Sequence, residues 1–228
     1  MVDSKRSQFT TEYMIVVAVA LAIVISFLIY AIIFYSSYFN NSAANEVKTA
    51  ANSLTAEANY VLAEGIGSKV SFPVYIPQLA KTSSFFCSNY VKIKSGGYSS
   101  ISSAKTDISG LLPLKAGNYI YYAWYNETGN VYLGLDFKIS LVTYNYSISG
   151  TSLFYSLGFY GQDGVLLPKT NFNISVFNGD GTYIASAVQA AVNGLDNGSL
   201  NIGSIGSAYI INVYPLGYDV FAPTCFSP

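Results

Sequence analysis

From Tyr13 to Phe39 the chain reads YMIVVAVALAIVISFLIYAIIFYSSYF, and no charged residue occurs between Glu12 and Glu46. As a helix rising ~1.5 Å per residue, this run spans roughly 40 Å, more than the ~30 Å hydrocarbon core of a bilayer. A cleaved secretory signal has an apolar region of only about 7–15 residues, so this segment is expected to stay on the mature chain. Lys5 and Arg6 precede the run and the next basic residue is Lys48. The positive-inside rule therefore places the N-terminus in the cytoplasm and everything beyond about residue 40 outside, the chain being held in the membrane by this single span.

The helix does not stop where the apolar run does. Val47, Ala51, Leu54, Ala58 and Val61 recur at spacings of four, three, four and three, an amphipathic stripe that predicts a helix packed on one side. Gly65 and Gly67 then end it. Within the apolar half, Ala18, Ala22 and Ser26 are four apart, a small-xxx-small pattern that lets helices approach closely in a membrane or in a bundle that replaces it.

The residues entering the run are Lys5-Arg6-Ser7-Gln8-Phe9-Thr10-Thr11-Glu12. A carboxylate one residue before an apolar span is costly unless it is paired, although Thr10 or Thr11 as a cap and the helix dipole give Glu12 a local rationale. A basic pair, a small residue, Gln-x-Thr-x-Glu and a long apolar helix together resemble the class III signal sequence of archaeal type IV pilin-like proteins. The resemblance covers residues 1–40 in motif. It implies cleavage between Ser7 and Gln8 by a membrane prepilin peptidase, with residues 1–7 as the leader. Gln8 would become the N-terminus and Glu12 the fifth mature residue, whose carboxylate pairs with the N-terminal amine of a neighbouring subunit; a buried carboxylate is tolerable when a cation meets it. Ser7 stands where the family more often has Gly, and a small residue still fits a peptidase subsite. The implied partners are that peptidase, a pilus assembly ATPase with its membrane platform, and other copies of the chain. The implied location after assembly is a cell-surface filament.

After residue 68 the periodicity changes to two. Val70, Phe72, Val74 and Ile76 alternate on one face, and Pro73 and Pro77 predict an edge or strand end. Further strands are expected at 90–93, 119–125, 131–135, 137–148, 153–159, 172–177, 183–187 and 209–214, with a short helical turn at 188–192 and turns at Ser95-Gly96-Gly97, Asn126–Gly129, Gln162–Gly164 and Asn178–Gly181. Many short strands without alternating helices predict a β-sandwich or barrel. The overall expectation is α+β: a long helix over 8–67 with its span at 13–39, a pilin-like β domain over 68–139, and an immunoglobulin-like β-sandwich over 140–228.

Composition narrows the chemistry. The chain of 228 residues has no His, is 10% charged, and carries 11 Lys+Arg against 12 Asp+Glu. Without His there is no Ser/His/Asp or Cys/His nucleophile system, and without a basic excess there is no field for nucleic acid. Asp163, Asp180 and Asp196 sit in turn-type contexts, no motif calls for a cofactor or a metal, and no enzymatic activity is expected. Cys87 and Cys225 could form a bridge or be buried singly. Asn-x-Ser/Thr sequons at Asn40, Asn126, Asn145, Asn173 and Asn197 are read as turn or strand-end glycosylation sites. Tyr119, Tyr121, Tyr122, Trp124 and Tyr125 form the densest aromatic cluster, one parity buried and the other open as an adhesive or sugar-stacking face. Two functions are consistent with this: a pilus-like structural subunit displaying β domains for adhesion, or a membrane-anchored surface protein that binds a sugar or another cell without polymerising.

Overall fold

The computed structural model describes residues 3–135, 139, 141–161, 164–203, 206 and 208–226, with the side chains of residues 3–12 and 141 left out of the description. The fold is α+β. One helix, α1 (Asp3–Glu64), is followed among the described residues by fifteen strands. By contacts the chain forms two compact units, Met1–Ala43 and Ala44–Pro228.

In the first unit, the apolar half of α1 is exposed from Tyr13 to Phe39. It is long and apolar enough to cross a membrane. In the second unit, the expected stripe is the packed face: Val47, Ala51, Leu54, Ala58 and Val61 are all buried, together with Ala50. Gly65 and Gly67 take positive φ, and the Ser68 hydroxyl donates to the Val61 carbonyl at 2.7 Å, which satisfies one of the orphan acceptors at the helix end. Thr55 Oγ1 and Ser102 Oγ lie 2.7 Å apart, and the Lys105 amide donates to Asn59 Oδ1 at 2.7 Å, so two side chains of α1 tie it to the β domain.

The strands are β1 (Lys69–Ile76), β2 (Phe85–Cys87), β3 (Tyr90–Ser95), β4 (Tyr98–Ser103), β5 (Ile108–Gly110), β6 (Leu112–Pro113), β7 (Gly117–Tyr125) and β8 (Val131–Leu135), then β9 (Leu141–Ser149), β10 (Ser152–Tyr160), β11 (Lys169–Asn178), β12 (Tyr183–Val192), β13 (Leu195–Asn201), β14 (Tyr209–Pro215) and β15 (Val220–Phe226). One sheet has the order β1-β7-β8-β5. In β1, Phe72, Val74 and Ile76 face the core as their alternation requires, and the strand lies at the sheet edge, where Pro73 costs no ladder bond. The larger sheet has the order β4-β3-β2-β15-β14-β11-β12-β13-β10-β9, with β6 also pairing with β15.

That larger sheet folds over at β12–β13, which are joined by the single pair Val192↔Leu195. Beyond the fold, β9-β10-β13 lies over β12-β11-β14-β15. Tyr155 and Phe159 of β10 meet Phe172 of β11, and Tyr146 of β9 meets Phe226 of β15. The first, second and fifth strands of this segment on one sheet, with the fourth, third, sixth and seventh on the other, make an immunoglobulin-like β-sandwich. Tyr209 opens the sixth strand, and its hydroxyl accepts from the Gly206 amide a few residues upstream, an arrangement similar to the tyrosine corner of such sandwiches.

Three expectations need correction. The division at 139/140 falls just before β9 but does not separate compact units, because β15 pairs in parallel with β2 through Thr224↔Phe86; residues 136–138 and 140 at the boundary itself are outside the described ones. Residues 188–192 are not a helical turn. They extend β12, held along their length by β11. Leu195-Asp-Asn-Gly198 is strand, not turn, because the chain reverses just before it at Asn193-Gly194, both at positive φ (53° and 72°). That is the two-residue hairpin geometry which Asn-Gly favours.

Candidate functional site

At the N-terminus, the backbone from Asp3 is helical, so Ser7, Gln8 and Glu12 lie on α1, but their side chains are outside the described part. Ala18, Ala22 and Ser26 are exposed, and the Ser26 hydroxyl donates to the Ala22 carbonyl at 2.8 Å. That bond satisfies the hydroxyl within its own helix and leaves the stripe a surface of small side chains.

The aromatic cluster lies on β7. Tyr121 faces the core, and its hydroxyl donates to the Leu111 carbonyl at 3.1 Å; burial holds its pKa well above the ordinary value. The Tyr119 hydroxyl donates to the Lys115 carbonyl at 2.9 Å. The opposite parity is open: Trp124 is 40% exposed and Ile120 45%. Across the ladder, Trp124 is opposite Lys69 and Tyr132, and Tyr122 is opposite Ser71. The Trp124 and Tyr132 rings are 6.2 Å apart, and Lys69 Nζ stands 5.0 Å from the centre of the Tyr122 ring. The outer face of this sheet therefore carries an aromatic strip with one cation over a ring, chemistry suited to stacking on the CH face of a sugar or on another aromatic surface.

Cys87 on β2 and Cys225 on β15 form a disulfide, with Cα atoms 5.0 Å apart and a sequence separation of 138. It sits beside a small cluster of Phe85, Phe177 and Ile210. The parallel pairing of β2 with β15 brings the two residues together, a contact that no local pattern in the sequence announces.

Asp180 and Asp196 are each engaged by their own neighbours. Asp180 Oδ1 accepts from the Thr182 amide at 2.8 Å and from its hydroxyl at 2.7 Å, bonds that lower its pKa and identify it as a turn residue. Asp196, on β13, bonds to the Tyr155 hydroxyl, and Asp163 lies outside the described residues. Among the described residues, no group of three or more His, Cys, Asp or Glu is placed to hold a metal.

The sequons are distributed differently from expectation. Asn126 alone lies in a turn, where its Oδ1 accepts from Thr128 Oγ1 at 2.8 Å and from the Asn130 amide at 2.9 Å. Asn40 is in α1, and Asn145, Asn173 and Asn197 are inside β9, β11 and β13. Long-range strand pairing overrides the turn preference of Asn at these positions.

No protein-family model and no curated protein matches the chain. Among solved structures, it is similar to DUF3823 family proteins from Bacteroides ovatus (9% identity, TM-score 0.31, 68% of this chain and 95% of that one) and Parabacteroides merdae (10%, 0.31, 69% and 96%). It is also similar to a Parabacteroides merdae beta-glucuronidase (13% identity, TM-score 0.29, 60% of this chain), of which it spans only 20%.

Proposed function

We propose that the chain is the structural subunit of an archaeal type IV pilus-like surface filament. The observation that carries this reading is the single helix whose two halves have opposite surfaces. Residues 47–61 are packed under the β domain, whereas Tyr13 to Phe39 are exposed all round. So large an apolar surface needs either lipid or the same helix from other copies. The basic pair, Ser7-Gln8 and Glu12 at its entrance supply the means of passing from one to the other: prepilin peptidase frees the Gln8 amine, Glu12 receives the amine of a neighbour, and an assembly ATPase draws the helix out of the membrane. Ala18, Ala22 and Ser26 then give the close-approach side.

Mass spectrometry of the mature N-terminus tests processing, and a chain retaining Met1 in the cell sinks the proposal. Electron microscopy of filaments sheared from the surface tests polymerisation. A Glu12→Ala variant is expected to be processed but not assembled.

The open strip on β1, β7 and β8 favours a second reading, a membrane-anchored surface protein that binds a sugar or another cell through Trp124 and Tyr122 without polymerising. A processed chain that never appears in filaments, yet loses glycan-array binding on Trp124→Ala, would select it.

A further inference from the structure

Two of the five sequons run side by side on the exposed face of β9-β10-β13. Ser156 of β10 is paired with Asn145 on one side and with Asn197 on the other, and two residues back Phe154 is paired with Ser147 and Ser199. β9 and β13 are both antiparallel to β10 and hence parallel to each other, so Asn145-Tyr146-Ser147 and Asn197-Gly198-Ser199 pass along the sheet in the same direction and register. All six of these face residues are exposed, and Phe154, between the two sequon serines, is 45% exposed. No charged residue occupies an outward position on these three strands.

The remaining sequons are less accessible. Ser175, the hydroxyl residue of the Asn173 sequon, is buried, and Asn173 is half-buried on a central strand. The Asn126 side chain is already bonded to its own Thr128. Asn40 lies in continuous helix, one residue past the apolar run.

We propose that Asn145 and Asn197 are the N-glycan acceptors of the β domain, and that the first sugar lies with its CH face over Phe154. In the transfer, Nδ2 of each Asn bonds to the anomeric carbon of a lipid-phosphate-linked oligosaccharide. The anomeric C–O bond to phosphate breaks, the lipid phosphate leaves with that electron pair, and one amide proton is released. Strands spaced about 4.8 Å apart put the two acceptors roughly 10 Å from one another, with β10 between them. An uncharged face of hydroxyls and amides with one aromatic at its centre offers a sugar hydrogen bonds at its edges and an apolar floor. The assignment rests on the reading that places the β domain outside the membrane.

The test is glycopeptide mass spectrometry on the full chain isolated from the cells that make it, alongside protease shaving of those cells. The expected result is added sugar mass on the peptides containing Asn145 and Asn197, lost one at a time in Asn145→Gln and Asn197→Gln, from a domain that external protease reaches. Bare Asn145 and Asn197 in a protease-accessible domain overturn the glycan assignment alone. A protected domain overturns the outside placement and the assignment with it. For the stacking, the double sequon variant should lower Tm relative to the glycosylated chain, and this difference should shrink in a Phe154→Ala background. An equal difference in both backgrounds rules out the contact with Phe154.

Discussion

Tyr155 lies directly across the β10–β13 ladder from Gly198, and its phenolic ring occupies the space that a β-carbon at Gly198 would need. The ring is buried, and its hydroxyl reaches the Asp196 carboxylate on the same neighbouring strand. Gly198 is therefore a packing requirement of the sandwich.

Gly198→Ala should destabilise the β domain by about 1–3 kcal/mol through overpacking, or a lowering of Tm by a few degrees for a domain of this size. Gly97→Ala, at a position with open space around it, is the control and should change Tm little. Thermal unfolding followed by near-UV circular dichroism makes the comparison, and equal Tm values for the two variants would contradict the packing role.

Buried tyrosines set an alkaline limit. Burial raises Tyr144 and Tyr155 to about 12, the nearby Asp196 carboxylate adding to the effect on Tyr155, and it lifts Tyr146 well above the ordinary value. A raised pKa means that the folded state holds the proton more tightly than the unfolded state. This contribution is complete below the unfolded value of about 10 and is lost as pH rises from about 10 to 12. Denaturant midpoints should therefore fall across that window, with tyrosinate absorbance appearing together with unfolding. A flat midpoint through it would refute the assignment.

Reduction of Cys87–Cys225 releases a loop spanning 138 positions. A chain-entropy account gives a loss of roughly 4–5 kcal/mol for a loop of this length, and measured losses for native bridges run about 2–5. The Cys87→Ser, Cys225→Ser double variant should show that loss in urea titrations. Unchanged stability would mean that the strand ladder alone holds β15 against β2.

The two halves of α1 should respond differently to substitution. Leu54→Ala removes a fully buried side chain and should cost about 2–5 kcal/mol of β-domain stability. Ala22→Leu changes an exposed helix position and should leave the Tm of that domain unchanged while reducing filament yield. Normal filaments from Ala22→Leu would remove the close-approach role of the stripe.

Helix and sandwich were legible because their signals are local. The four-three spacing of Val47 to Val61 states which side of α1 packs, and the alternation from Val70 to Ile76 states which side of β1 is buried. β13 and β15 were not legible. Leu195–Asn201 consists largely of Asn, Asp, Gly and Ser, which favour turns, and it is a strand because β10 supplies its ladder. Val220–Phe226 contains Pro223 and is buried along most of its length, so no alternation shows. The turn before β13 does have a signal, Asn193-Gly194, placed four residues earlier than Asn197-Gly198, the pair that reads as a turn in Leu195-Asp-Asn-Gly198. At the candidate site, the alternation of β7 is readable from the sequence, but which parity is buried is not, because both carry aromatic residues. The cross-strand rows joining Asn145 to Asn197 through Ser156 were not, because register arises only when three distant segments align.

The pairing of β15 with β2 and β14 also dictates an order of events. β2 to β4, made early, have no ladder neighbour on the β2 side until residues 220–226 have been made. Contacts so far apart in sequence make closure slow and leave an open strand edge exposed in the interim. The β domain therefore cannot close until residues 220–226 have been made, however early α1 and the strands up to β4 have formed.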